Sequence, residues 1–137
     1  MIMTLVQWDS RYSVGVAEVD EQNKEIVAML NRLYDAMTAG RGAVVLEQLL
    51  VELVQFAAHH FETERRLMET HDYHDLGDHD SEHRLLTRKA AELKERYDGG
   101  KMQISLDVLL FLKNWLSHHI MGTDKQLGTW LNGKGVH

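Results

Sequence analysis

Apolar residues recur at spacings of three and four in four separate stretches of the chain, which predicts four amphipathic helices. The stretches run over Val19 to Met37, Leu46 to Met68, His79 to Tyr97 and Val108 to Ile120. Short runs containing glycine end the first and third of them, at Gly40–Gly42 and Asp98–Gly100. The polar run 71–78 predicts a turn before the third helix, and the fourth helix is expected to break around Gly122.

Four amphipathic helices joined by short loops predict an all-α fold, an up-down-up-down four-helix bundle. Residues 1–18 carry Trp8 and Tyr12 and are expected to form an N-terminal extended arm packed on the bundle. One domain is expected over 1–137, with the bundle at 19–121 and a C-terminal segment at 122–137. The chain contains no proline, which favours long uninterrupted helices.

Five ionisable residues lie on the apolar stripes and should therefore point into the bundle. They are His60, Glu64, His79, His83 and His119. Residues four apart on an α-helix project from the same face, so the first two form one pair and the next two another. Burying such groups without partners costs several kcal/mol each. A single buried histidine is usually a hydrogen-bonded core residue, but five inward groups on three helices indicate a metal site.

Asp124 adds a sixth candidate ligand, so the set would contain four imidazoles and two carboxylates. The chain has no cysteine, which excludes disulfides and sites with thiolate ligands. Nitrogen and oxygen ligands without sulfur suit iron, manganese or zinc. Six ligands exceed the four of a tetrahedral zinc ion, whereas two metals bridged by carboxylates would use them all. The Glu-x-x-His pair that marks ferritin-like di-iron bundles does not occur in the sequence.

Charge and hydropathy exclude several other classes of protein. The formal net charge is −6, from 21 acidic and 15 basic residues, which argues against binding to nucleic acid or to an anionic membrane. The N-terminus lacks the features of a signal peptide, and no apolar stretch is expected to reach the length that spans a bilayer. The sequence therefore predicts a cytoplasmic protein without membrane insertion. The remaining candidate histidines are expected at the surface: His59, His71, His74 and His118.

Several ordered runs of the sequence resemble a known family over nearly the whole chain. The runs are Trp8, Val14-Gly15-Val16, Val19-Asp20-Glu21-Gln22, His60-Phe61-Glu62-Thr63-Glu64, His79-Asp80-Ser81-Glu82-His83, and Trp115-Leu116-Ser117-His118-His119-Ile120 with Asp124-Lys125. Together they resemble the single-domain bacterial members of the hemerythrin family. The order and separation of these runs are far more specific than any single His-x-x-x-His.

The resemblance implies a non-haem di-iron centre that binds O2 reversibly. Carried over position by position, the ligands of the first iron would be His79, His83 and His119. The second iron would be held by His60, with Glu64, Asp124 and an oxo or hydroxo group bridging the two ions. In the family, O2 binds as a ligand at the second iron.

Asn23 departs from the family pattern. The resemblance places a histidine ligand of the second iron at this position, and the helical periodicity places Asn23 on the buried face of the first helix. An amide oxygen is a weaker, neutral donor, so the second iron is expected to be loosely held or absent, with Asn23 in weak or water-mediated contact. The alternative is an ordinary core asparagine that is unrelated to a metal.

The sequence therefore predicts an oxygen-binding protein for O2 storage, delivery or sensing, with an altered second iron site, and not an enzyme. One alternative is an enzyme-like di-iron or mono-iron site with peroxidase or oxidase activity. Another is a sensory module for O2 or redox state. The expected partners are O2 and an oxygen-requiring enzyme, and the chain is expected to be a monomer that binds no nucleic acid.

Overall fold

The apolar stripes lie on helices in the computed structural model, which describes residues 5–100 and 105–137. Three helices come first: α1 (Ala17–Thr38), α2 (Gly42–Thr70) and α3 (Leu76–Asp98). The fourth rod consists of α4 (Ser105–Asn114), a π-helical segment (Trp115–Asp124) and α5 (Lys125–Gly133), in immediate succession. These described ranges contain no β-strand, which confirms the predicted all-α four-helix bundle. Residues 1–4 of the predicted arm and 101–104 of the predicted bundle lie outside the described residues.

The predicted break around Gly122 was wrong. Gly122 lies inside the π-helical segment, and helix continues to Gly133, so the bundle extends beyond the predicted boundary at 121. Glycine costs a helix only about 1 kcal/mol relative to alanine, which packing of the neighbouring residues can offset. Leu127 and Leu131, which follow it, are buried and provide that packing. The third helix likewise begins at Leu76, within the run predicted as a turn.

α2 is long and apolar enough to cross a membrane by length and composition. The expectation that no stretch reaches bilayer length was therefore wrong for this helix. Its apolar face is the centre of the bundle core, where Leu46, Leu53 and Phe56 are buried against the other helices. The same face carries His60 and Glu64, and ionisable groups of this kind are costly in lipid. The apolar length of α2 matches its role as a core helix.

The N-terminal arm is attached to α1 by one side chain. Asn31 accepts hydrogen bonds from the backbone N–H groups of Leu5 and Val6, both at 2.9 Å, and donates from Nδ2 to the Val6 carbonyl at 2.6 Å. The arm was predicted to be extended. It is not extended throughout, because Ser10–Tyr12 form a short 3₁₀ helix. Asp9 caps this turn by accepting from the backbone N–H of Arg11.

The junction of the arm with α1 is fixed by polar contacts and a close approach. Asp20, in the first turn of α1, accepts from the Ser13 hydroxyl at 2.6 Å and from the Val14 N–H at 2.8 Å. A carboxylate is favourable at this end of a helix. α5 crosses the arm at Gly128, where a Cβ atom would lie 1.9 Å from the Val14 carbonyl oxygen. Glycine is therefore required at this crossing.

Two apolar clusters form the core and enclose a polar layer. The larger cluster includes Ile26, Leu30, Leu33, Leu46, Leu50, Leu53, Leu112 and Trp115. The smaller cluster includes Val14, Val16, Val19, Leu67, Met68, Tyr73, Leu127 and Leu131. Along α2, His60 and Glu64 come after Phe56 of the larger cluster and before Leu67 of the smaller. The candidate metal ligands thus lie between the two apolar regions.

Candidate metal centre

Six candidate ligands meet in this polar layer, two from each of three helices. α2 contributes His60 and Glu64, α3 contributes His79 and His83, and the π-helical segment contributes His119 and Asp124. All six are at most 2 % exposed. One ligand atom from each of five of them lies within 4.8 Å of the others, His60 being outside that group. His60 joins through Nε2, which is 3.2 Å from Glu64 Oε1 and 3.6 Å from Asp124 Oδ2.

The two carboxylates occupy the centre of the imidazoles. Glu64 Oε1 lies 2.9 Å from His83 Nε2, 3.2 Å from His60 Nε2, 3.4 Å from His79 Nε2 and 3.6 Å from His119 Nε2. Asp124 Oδ1 lies 3.1 Å from His119 Nε2 and 3.2 Å from His79 Nε2. The other oxygen of Asp124 faces His60. The two oxygens of Asp124 are therefore directed at different histidines.

The helix type on each element matches the spacing of its ligands. His60 and Glu64 are four residues apart on an α-helix, so both face the centre. His119 and Asp124 are five apart, a spacing that the i→i+5 repeat of a π-helix aligns and an α-helix does not. The wide winding of this segment therefore places His119 Nε2 and Asp124 Oδ1 3.1 Å apart.

A hydrogen-bonded pair from α1 and α2 orients His60. Gln22 Oε1 lies 2.8 Å from His60 Nδ1, and Gln22 Nε2 donates to the Thr63 hydroxyl at 2.9 Å. Because the amide nitrogen is engaged by Thr63, the amide oxygen is the acceptor, and His60 Nδ1 carries the proton. Nε2 of His60 is thereby left free to bind a metal.

A second such pair orients His119. Its Nδ1 lies 2.8 Å from Glu82 Oε1, and the other oxygen of Glu82 accepts from the Thr123 hydroxyl at 2.7 Å. Gln22 and Glu82 were not among the predicted site residues, because neither lies on an apolar stripe. A usable signal was their position directly before Asn23 and His83, inside the runs that carry the family resemblance.

Aromatic rings shield one side of the centre. Phe56 stacks on His60 with ring centroids 5.3 Å apart, and Phe61 stacks on His83 at 4.0 Å. Trp115 stacks in turn on Phe61 at 5.3 Å. These rings hold the imidazoles in place and exclude water, which strengthens electrostatic interactions inside the site.

The metal-free site has strongly shifted pKa values. Burial lowers the pKa of an imidazole, but the carboxylates of Glu64 and Asp124 outweigh it and raise the pKa of His60 and His79 to about 9. For the carboxyl group of Asp124, burial acts in the other direction and raises the pKa. Its histidine neighbours, chiefly His119, outweigh burial and lower this pKa to about 2. For His83 burial prevails and lowers the pKa. In the absence of a cation, the two carboxylates therefore favour the protonated forms of His60 and His79.

Several buried atoms of these residues have no hydrogen-bond partner among the described residues. They are Nε2 of His60, His79 and His119, Nδ1 of His79 and His83, Oε2 of Glu64 and both carboxylate oxygens of Asp124, although the Nε2 atoms lie at ion-pair distances from the carboxylates. An unsatisfied buried polar atom costs about 1–3 kcal/mol, and more when it is charged. A cation bound among the Nε2 nitrogens and the carboxylate oxygens reduces that cost, and the donor set suits iron. The residues therefore fit a metal centre.

The four histidines that were predicted at the surface do not join the centre. His59, His74 and His118 are exposed and His71 is half-buried, so three of the four lie at the surface as predicted. Asn23 is fully buried on α1, and both its amide atoms lack a hydrogen-bond partner among the described residues.

Comparison with known proteins shows what kind of centre this is. The model of the hemerythrin HHE cation binding domain matches residues 14–131. The chain belongs to the hemerythrin family. The bacteriohemerythrin of Methylococcus capsulatus is 30 % identical to it over 131 residues, which cover 95 % of this chain and 99 % of that protein. The bacteriohemerythrin of Stenotrophomonas maltophilia is 32 % identical over 90 % of this chain and 79 % of the relative.

Solved structures agree with this assignment. A crystal structure of wild-type hemerythrin matches the present chain with a TM-score of 0.80 and 30 % identity. The match covers 91 % of the present chain and 96 % of the solved one. As a member of the family, the chain is a non-haem iron protein that binds oxygen, and the family's cofactor is a di-iron centre. The buried His, Glu and Asp cluster is the place in the bundle where such a centre fits.

The metal-free protein should lose stability as the pH rises from about 6.5 to about 9. His60 and His79 have a folded-state pKa of about 9 against an ordinary value of 6.5, so the folded state binds their protons more tightly. Their contribution to stability is complete below pH 6.5 and is lost as the pH rises through about 9. Urea unfolding in the presence of a chelator measures this trend.

The zinc-loaded protein is the control, and its stability should respond with the opposite sign. Metal competes with protons for the same nitrogens, so metal binding strengthens as the pH rises. Zinc is not oxidised or reduced, which keeps the comparison free of iron chemistry. A metal-free midpoint that stays flat or rises over this pH range would show that the buried histidines are neutral.

Proposed function

We propose that this hemerythrin binds O2 reversibly at a di-iron centre formed by the six buried ligands, and that its two iron positions are unequal. The observation that carries the proposal is the set of buried imidazole nitrogen and carboxylate oxygen atoms that converge from three helices. Imidazole nitrogen and carboxylate oxygen are suitable donors to iron, and the two carboxylates offset part of the positive charge. Bound iron supplies the electrons that O2 binding requires, and the protein supplies the ligands and a water-poor setting.

The contacts support a division of the ligands between two ions. The first ion would be held by His79, His83 and His119, and the second by His60. Glu64 supports both, since its Oε1 lies 2.9 Å from His83 Nε2 and 3.2 Å from His60 Nε2. Asp124 turns one oxygen to the first group and the other to His60. In this proposal both carboxylates would bridge the two ions.

Asn23 makes the second position weaker in this proposal. It follows Gln22, whose side chain contacts His60, and it is fully buried with both amide atoms unpaired. An amide is neutral and cannot offset the charge of a cation as a carboxylate does, and it is a weaker donor than imidazole. The second iron is therefore held by fewer strong ligands than the first and exchanges more readily.

The same observation favours a second candidate function. Fewer protein ligands on the second iron leave more of its coordination to solvent, which suits turnover of peroxide with a reductant as well as reversible O2 binding. Reversible binding is the main proposal because hemerythrin relatives are oxygen-binding proteins and generally not enzymes. The cytoplasmic location, the monomeric state and an oxygen-requiring enzyme as partner stay predictions of the sequence.

Anaerobic titration with ferrous iron, followed by admission of O2, tests the proposal. We expect iron to bind in two steps, the first tight and the second weak. A visible absorption band should form with O2 and be lost when O2 is removed. A His119→Ala variant should lose the tight step, whereas His118→Ala, which changes an exposed neighbour, should retain it. Absence of iron binding would refute the proposal, and steady consumption of peroxide with a reductant would favour the enzyme.

A further inference from the structure

Glu82 of α3 uses both carboxylate oxygens on the π-helical segment. One accepts from His119 Nδ1 at 2.8 Å, and the other accepts from the Thr123 hydroxyl at 2.7 Å. An ionised carboxylate only accepts, so Nδ1 of His119 carries the proton and Nε2 is free for a metal. Because Thr123 directly precedes Asp124, this one side chain ties the segment with two candidate ligands to α3.

His60 has a different partner. Its Nδ1 faces the neutral amide oxygen of Gln22 at 2.8 Å. For His79 and His83, Nδ1 has no hydrogen-bond partner among the described residues. A carboxylate therefore lies behind one candidate ligand and a neutral amide behind another, so the negative charge is placed on the side of the first iron.

We propose that Glu82 is a positioning residue that fixes His119 toward the first iron and makes that iron the more strongly held and the more easily oxidised of the two. This inference rests on the di-iron function proposed above. A carboxylate behind a metal-bound imidazole raises the basicity of the ligating nitrogen and fixes the ring's orientation. A more basic nitrogen and a nearby negative charge both stabilise the ferric state relative to the ferrous state.

The exposure of Glu82 limits the size of this effect. Its side chain is 33 % exposed, in a cleft of about 470 Å³ that is also lined by Lys89 and His118. Solvent screens part of the carboxylate charge, whereas His119 itself is only 1 % exposed. We therefore expect about a tenfold change in the ferric-to-ferrous preference, which corresponds to ~59 mV for a one-electron couple.

The variant Glu82→Gln tests the charge while retaining the shape. Its amide oxygen still accepts from His119, and its nitrogen donates to the Thr123 hydroxyl, so helix content should not change. The reduction potential of the iron centre should rise by ~59 mV. A chelator should remove the tightly bound iron roughly ten- to a hundredfold faster. Glu92→Gln, which removes an exposed carboxylate from the same helix, should change neither.

Two outcomes separate this inference from the proposed function. If the wild-type protein binds no iron, the proposed function fails. If it binds iron and Glu82→Gln has the potential and iron release of Glu92→Gln, the function stands and the role of Glu82 is wrong. Should Glu82→Gln not fold, Gln22→Glu decides the question, because a carboxylate behind His60 must lower the potential. An unchanged potential in that variant would overturn the inference.

Discussion

Replacing Glu64 by glutamine should remove most of the bound metal. Oε1 of Glu64 lies within 3.6 Å of Nε2 of all four buried histidines, so one substitution affects both proposed ions. Glutamine has nearly the same shape but no negative charge, and its NH₂ group cannot bind a cation. Loss of a contact one step removed from a metal commonly costs about ten- to a hundredfold in affinity, so loss of a bridging ligand should cost at least that. We expect the iron per chain to fall well below that of the wild-type protein, because both the tight and the weak step of iron binding lose a ligand.

Glu62→Gln is the matched control for this prediction. Glu62 lies two residues earlier on α2 and is exposed. The substitution Glu62→Gln therefore removes the same negative charge at a position outside the core. The iron content of the two variants is measured after anaerobic reconstitution and dialysis and is then compared. Circular dichroism of the same samples measures their helix content. If both variants lost the same amount of iron, the assignment of Glu64 as a bridging ligand would be wrong.

The four-helix architecture could be predicted because hydrophobic burial on a helix leaves a periodic trace in the sequence. Each helix buries one face, so Leu30, Leu53 and Leu112 recur in phase with other apolar residues. The continuation through Gly122 could not be predicted in this way. The side chains of a π-helical segment do not repeat with the α-helical period, and a glycine near the end of an apolar stripe is usually taken as the end of the helix. His119 and Asp124 are five residues apart, and the π-helical winding brings both side chains to the same site. This reason for the winding becomes clear only once both residues are known to belong to that site.

The site could be predicted less completely than the fold. His60 and His83 are polar residues on apolar stripes. Because buried positions are usually apolar, such residues can be recognised in the sequence as candidate ligands. Gln22 and Glu82 give no such signal, because each lies where a polar residue is ordinary. Their role depends on contacts between residues 37 or 38 positions apart, which no local pattern records. The division of ligands between two ions came from the family resemblance and stays a proposal.

Replacing Asn23 by histidine should raise both the iron content and the lifetime of the oxygen-bound form. The asparagine is fully buried, and neither amide atom has a partner among the described residues, so the position is polar without an evident structural role. An imidazole there would give the second iron another strong nitrogen ligand. We expect the weak step of the ferrous titration to tighten by at least roughly ten- to a hundredfold.

Stability should change in opposite directions with and without metal in the Asn23→His variant. Histidine is larger than asparagine, and overpacking a core costs about 1–3 kcal/mol, so the metal-free variant should unfold at lower urea than the wild type. In the iron-loaded variant, tenfold tighter binding is worth about 1.4 kcal/mol at saturating metal, and a hundredfold about twice that, which offsets or exceeds the packing cost. Asn23→Ala, which removes the amide without supplying an imidazole, should show neither tighter binding nor slower loss of O2. If the asparagine form already binds two irons tightly and holds O2 as long as the histidine form, Asn23 is itself a competent ligand or has no part in the centre, and the unequal iron positions proposed here are wrong.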